Sequence, residues 1–137
     1  MKSGTDVDVV VVGAGFGGLA MLYRLREAGF RVWPYDAPLG KEPLVVEIYT
    51  RLMTGAVTKS SESARTAYLA KKQKESALYA GLSRGLLAKA RGSEDGFDAL
   101  VTAMVMVEHR GEFARLKKTE DEVFLMEGQT WVPGAVA

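Results

Sequence analysis

The stretch from Asp8 to Asp36, DVVVVGAGFGGLAMLYRLREAGFRVWPYD, constrains the fold more than any other part of this chain. Val9 to Val12 is an unbroken β-branched run, the pattern of a strand covered on both faces. Gly13, Gly15 and Gly18 follow as G-x-G-x-x-G at a strand-to-helix turn. In such a turn the first glycine takes the tight bend, the second lets a pyrophosphate approach the backbone, and the third lets helix and strand pack closely. The helix that follows sets Leu19, Leu22, Leu25 and Arg26 along one side, and Gly29 suits the position just past its end. Arg31 to Tyr35 reads as the next strand, ended by Asp36. That acid stands 18 residues after Gly18. There a carboxylate accepts a hydrogen bond from a ribose hydroxyl while the helix N-terminus holds the phosphates. The plainer alternative is a glycine-rich turn that only packs a helix on a sheet. Pro34 favours it, because a proline inside the second strand removes a ladder donor.

At 137 residues, 47% hydrophobic and 26% charged, the chain has the makings of one domain with a real core, which argues against wholesale disorder. It has no cysteine. Disulfides, thiolate metal sites and a cysteine nucleophile are therefore excluded, and a reducing, cytoplasmic setting is expected. The start of the chain does not read as a signal peptide, and no apolar run reaches the ~18 residues of a membrane span. Charge is unevenly placed. Residues 59–91 carry 8 basic and 2 acidic side chains, while residues 92–137 carry 4 basic and 9 acidic. The basic segment suits a phosphate-bearing partner such as nucleic acid, or else is a solvated helical face.

Further along, Leu44 to Tyr49 (LVVEIY) reads as a third strand, and Thr50 to Lys59 as a loop or short turn. Ser60 or Ser61 caps a helix over Glu62 to Lys74. Residues 76–91 are weakly helical, interrupted by Gly81 and Gly85. After Gly92, Ser93 opens the clearest helix, Glu94 to about His109. Phe97, Leu100, Val101, Met104 and Val105 form a wide apolar stripe. Ala99, Ala103, Met106 and Val107 extend it around the cylinder, so the helix is expected to be largely buried. Residues 122–126 and 129–132 are expected to form a short strand pair about Gly128. His109, the only histidine, suits a helix C-terminal dipole better than a catalytic role.

Three acids form a second constellation. Glu47 sits in an otherwise apolar strand, and Asp95 and Asp98 stand three apart in the first turns of the apolar helix. Carboxylates converging from a strand and a helix hold Mg²⁺ or Mn²⁺ in phosphoryl-transfer sites, because hard cations take oxygen ligands. The structural alternatives are dipole complementarity for Asp95 and Asp98, and a strand end open to water for Glu47.

Two resemblances overlap in the chain. Residues 5–32, through TDVDVVVVGAGFGGL and YRLREAGF, resemble the flavin-binding N-terminus of Baeyer–Villiger and related flavoprotein monooxygenases. This implies FAD, with Gly13, Gly15 and Gly18 at the pyrophosphate and Asp36 in the ribose-binding acid position. The second glycine motif and the NADPH domain of those enzymes have no counterpart here, so a complete monooxygenase is not expected. From about residue 22 onward the chain resembles the C-terminal half of an uncharacterised prokaryotic family of predicted nucleases with a ribonuclease-H-like fold. The words are REAGFRVWPYD, PLVVEIYTRLMTGAVTKS, ARTAYL, SEDGFDALVTAMVM and EGQTWVP. Asp95 to Leu100, D-x-x-D-A-L, also looks like the last carboxylate pair of RuvC-type resolvases. On that resemblance Glu47, Asp95 and Asp98 are metal ligands, and the first aspartate of such folds has no counterpart here.

The expected fold is a single α/β domain over residues 1–137, with a dinucleotide-binding-like βαβ unit at 1–36 and a helix-rich remainder at 37–137. Its small, mainly parallel sheet has three strands, Val7 to Val12, Arg31 to Tyr35 and Leu44 to Tyr49, covered by helices. The leading functional expectation is a module that binds the ADP part of FAD or NAD(P) through Gly13, Gly15, Gly18 and Asp36. The alternatives are a metal-dependent nuclease-like protein using Glu47, Asp95 and Asp98, with residues 59–91 steering nucleic acid, and a non-catalytic domain that works through a protein partner. No membrane association is expected.

Overall fold

The helix predicted after the glycine turn is present as α1, Phe16–Glu27, and it ends as the sequence anticipates. Phe30 N–H donates to Leu25 O at 2.9 Å and Gly29 N–H to Arg26 O at 3.0 Å, with Gly29 at φ 89°. That is a left-handed cap with both carbonyls of the last turn satisfied, a conformation glycine adopts without a Cβ penalty. The structure, a computed structural model, describes residues 16–38 and 42–134. The expected strand Val7 to Val12, with Gly13 and Gly15, lies outside them.

The three-stranded sheet is corrected. Among the described residues there is one two-stranded parallel sheet, β1 (Arg31–Val32) and β2 (Leu44–Val45), with Arg31 opposite Leu44 and Val32 opposite Val45. The rest of the regular structure is helical, so the fold is α-rich. The reason lies in residues 33–36. Asp36 N–H donates to Val32 O at 2.8 Å, and the Asp36 carboxylate accepts from Val32 N–H at 3.0 Å. These bonds turn the chain back at Trp33–Pro34, where proline offers no ladder donor. With β1 cut short, β2 has nothing to pair with beyond Val45. Glu47 instead makes an isolated parallel bridge with Thr130, its carbonyl accepting from Trp131 N–H at 2.8 Å.

The expected C-terminal strand pair is likewise corrected. Residues Glu122–Glu127 form a helix, α8, capped by Asp121, whose carboxylate accepts from Val123 N–H at 2.9 Å. The Thr50 to Lys59 loop contains a short helix, α2 (Thr50–Thr54). The other helices match the sequence reading more closely: α3 (Glu62–Glu75), α4 (Ala77–Ala80), α5 (Arg84–Gly92), α6 (Glu94–Glu108) and α7 (Arg110–Phe113).

Two compact units result. The first takes residues 1–48 and 110–137, the second Tyr49–His109. In the first, Leu25, Val32 and Val45 are buried together, with Leu22, Phe30 and Tyr35 against them. Both tryptophans are buried in this unit. Trp33 Nε1 donates to Lys117 O at 2.9 Å, and Trp131 lies 4.8 Å from the Phe113 ring centroid. In the second unit, Leu69, Tyr79, Leu87, Ala90, Phe97, Val101 and Met104 form the core. The predicted stripe of α6 supplies Phe97, Val101 and Met104, with Leu100 and Val105 at its edge. Ala99, Ala103 and Val107 are exposed, so α6 is buried on one face rather than all round.

Ser93 joins α5 to α6 as the cap of both, and its hydroxyl accepts from Gly96 N–H at 2.9 Å. A Cβ on Gly96 would stand 2.7 Å from Ser93 Oγ and 2.8 Å from Lys89 O. Alanine is normally the better helix former by ~1 kcal/mol. Here Gly96→Ala is expected to destabilise by about 1–3 kcal/mol, the range for forcing atoms into a filled site. A urea melt of that variant with unchanged or higher stability would refute the close approach.

Candidate functional site

Of the residues expected to hold a dinucleotide, Gly18 and Asp36 fall among the described residues. Gly18 lies in the first turn of α1, and no acidic residue occupies that turn to compete with a bound anion. The first turn leaves several N–H groups without helical partners, and the helix dipole is positive there. Asp36 is found elsewhere along the helix. One carboxylate oxygen lies 3.3 Å from the Arg26 guanidinium in the last turn of α1, and the other accepts from Val32 N–H. Phe16 and Arg26 are separated by about 15 Å along the axis at 1.5 Å per residue. The acid is therefore held at the far end of α1 from the glycine turn. It borders an open depression of about 420 Å³ lined by Arg26, Gly29, Phe30, Arg31, Asp36 and Glu42.

The carboxylates of the second constellation have separate surroundings. Glu47 is exposed in the first unit, and its side chain reaches toward the Gly128 backbone. Asp95 is exposed in the first turn of α6. Asp98, on the same helix, is ion-paired with Lys59 at 2.5 Å, and both side chains are largely shielded from solvent. Within either unit, no group of three or more His, Asp or Glu side chains among the described residues is gathered for a metal ion.

The basic segment splits into residues used inside the fold and residues left at its surface. Lys59 holds Asp98. Arg65 is buried and donates to Lys59 O and, through two nitrogens, to Arg91 O. Lys71 pairs with Glu75 at 3.8 Å. Lys72 lies over the Tyr68 and Tyr79 rings, 5.8 and 5.9 Å from their centroids. Burial pushes both phenols above the ordinary tyrosine range, so both remain neutral at physiological pH. Lys74, Arg84 and Lys89 are exposed. The contacts of Lys59 with Asp98, Arg65 with Arg91 O, and Lys72 with Tyr79 were not visible in the sequence, because those partners lie on other elements, whereas Tyr68 stands four residues before Lys72 on α3. His109 occupies the C-cap of α6, where its backbone N–H donates to Val105 O and Val107 O. No described helix is long and apolar enough to cross a membrane.

In comparison with known proteins, the similarities found are short. Over 32 residues the chain is 56% identical to the FAD-binding monooxygenase lolF1 of Epichloe uncinata. Over 32 residues it is 53% identical to the FAD-binding monooxygenase lolF2 of the same organism. Each match covers 23% of this chain and only 6% of the relative's length. No family model and no solved structure matches the chain.

Proposed function

We propose that the segment from Asp8 to Asp36 binds the ADP part of FAD, with Gly13, Gly15 and Gly18 at the pyrophosphate and the first turn of α1 as the anion-facing helix end. The observation that carries this reading is the 56% identity over 32 residues to a FAD-binding monooxygenase. The chemistry of α1 is compatible: its first turn includes Gly17 and Gly18 and no acid, so no like charge there opposes a phosphate. FAD supplies redox chemistry through its isoalloxazine ring. The residues named here bind and orient its other end, and no flavin-reducing or oxygenating step is assigned to them.

Asp36 is not part of this proposal, because it is held at the opposite end of α1 from the glycine turn by Arg26 and by Val32 N–H. The bond from Val32 N–H holds the turn independently of Arg26.

The test is FAD titration followed by flavin fluorescence, with Gly15→Val as the decisive variant. A valine side chain at the close-approach position blocks the pyrophosphate, so affinity is expected to fall at least 100-fold while the far-ultraviolet dichroism stays that of the parent. A Gly15→Val protein that binds FAD as the parent does, or a parent that does not bind FAD at all, rules the proposal out.

A further inference from the structure

We infer that the depression at the C-terminal end of α1 is a binding site for a zwitterionic small molecule, a free α-amino acid with an apolar side chain. It lies at the far end of α1 from the glycine turn, so it does not rest on the dinucleotide reading. Gly29 follows α1, Phe30 leads into β1, Arg31 opens that strand, and Glu42 stands just before β2. The parallel pairing brings these residues to one end of the sheet. Arg31 N–H donates to Pro43 O at 2.9 Å, and Arg31 stands opposite Leu44. With Arg26 and Asp36 they line a volume of about 420 Å³. Small-molecule sites span about 300–1,000 Å³.

Charge selects the ligand. The lining holds two arginines and two acids. Arg26 and Asp36 neutralise each other at 3.3 Å. Arg31 and Glu42 do not pair, and neither side chain has an ion-pair or hydrogen-bond partner among the described residues. The depression therefore presents one guanidinium and one carboxylate that are open to a ligand. A ligand with a carboxylate alone also meets the two acids, and one with an ammonium alone also meets the two arginines. A molecule carrying both groups sets its carboxylate on Arg31 and its ammonium on Glu42, two charge-assisted hydrogen bonds with complementary signs. The wall beside them is apolar. Phe30 is half-buried and packs against the core of Leu25, Val32 and Val45, which holds its ring in place. Gly29 has no heavy atom within 4 Å of its Cβ position, so the space beside the ring is open. An apolar side chain on the ligand covers that ring, giving the pattern of a few placed polar groups on an apolar wall.

The test titrates the full chain with L-phenylalanine and follows its amide protons by NMR, which reads both affinity and place. Phenethylamine, which lacks the carboxylate, and hydrocinnamate, which lacks the ammonium, are the controls. L-phenylalanine is expected to saturate, with the largest shifts at the Gly29 and Phe30 amides. It is expected to bind about tenfold tighter than either control, the order of one hydrogen bond to a charged group. Arg31→Gln is expected to weaken L-phenylalanine about tenfold without weakening phenethylamine, and Glu42→Gln to weaken it about tenfold without weakening hydrocinnamate. Neither side chain is bonded within the described fold, so both variants are expected to keep the parent's melting temperature. Equal affinity for the three compounds, no saturation by L-phenylalanine, or shifts that spare Gly29 and Phe30 overturn the proposal. So does an equal loss of L-phenylalanine and hydrocinnamate in Glu42→Gln, which would mark a general change in the protein rather than a lost charge contact.

Discussion

Truncating Phe97 to alanine is expected to cost about 3–5 kcal/mol, the range for removing a large aromatic side chain from a core. Phe97 is fully buried at the centre of the second unit, among Leu69, Tyr79, Leu87, Val101 and Met104. It also meets the Tyr68 ring edge-on, with centroids 5.3 Å apart at 75°. That arrangement adds about 0.5–1.5 kcal/mol beyond burial. The neighbours are held by α3, α4, α5 and α6 at once, so the site cannot collapse around the loss. A small domain has a total stability of about 5–15 kcal/mol, so this one change removes a large part of it. Leu86→Ala, on the exposed side of α5 at 48% exposure, is the matched control and is expected to change stability by less than about 0.5 kcal/mol. Urea melts followed by far-ultraviolet dichroism compare the two. Phe97→Ala costing no more than Leu86→Ala would mean that α6 does not anchor this core.

The sequence reading succeeded where local chemistry and burial agree. Ser61 and Ser93 cap α3 and α6 as expected, and the apolar stripe of α6 faces the core. The closing turn of α1 was equally legible, because only Gly29 supports that backbone. Strands failed because a strand is defined by its partner. Leu44 to Tyr49 has the composition of a full strand, yet only Leu44 and Val45 pair with β1, which Pro34 and Asp36 turn away after Val32. In α8, four consecutive apolar residues carry neither a period of 2 nor one of 3.6. The Asp121 cap favours the helix, a signal the strand reading did not use. In the candidate site, the spacing from Gly18 to Asp36 was readable, whereas the hold of Arg26 on Asp36 follows from the turn at residues 33–36 and has no local signature. The same holds for Asp98. Its place in α6 was legible, and its partner, 39 residues earlier, was not.

That partner makes Asp98 the subject of the second large effect. Lys59→Met is expected to cost about 2–3 kcal/mol. Breaking a fully enclosed ion pair by removing one member costs about 3–5 kcal/mol. The discount applies because 14% of the Lys59 side chain and 17% of the Asp98 side chain still meet solvent. The other Asp98 oxygen, Oδ1, is buried without a hydrogen-bond partner, so losing Lys59 leaves the carboxylate with little compensation. The penalty belongs to the stranded charge rather than to the attraction itself. Adding Asp98→Leu to Lys59→Met is therefore expected to recover most of the loss, as apolar replacement of both members of such a pair is often neutral. A double-mutant cycle in urea measures this directly, with an expected coupling of at least about 1.5 kcal/mol. The outcome also bears on what Asp98 is available to do. A strong coupling identifies the carboxylate as the counter-charge that fixes the segment before α3 onto α6, committed to lysine rather than open to a cation. Independent, additive effects would instead mean that Lys59 contributes nothing to Asp98, and that its carboxylate is free for another ligand.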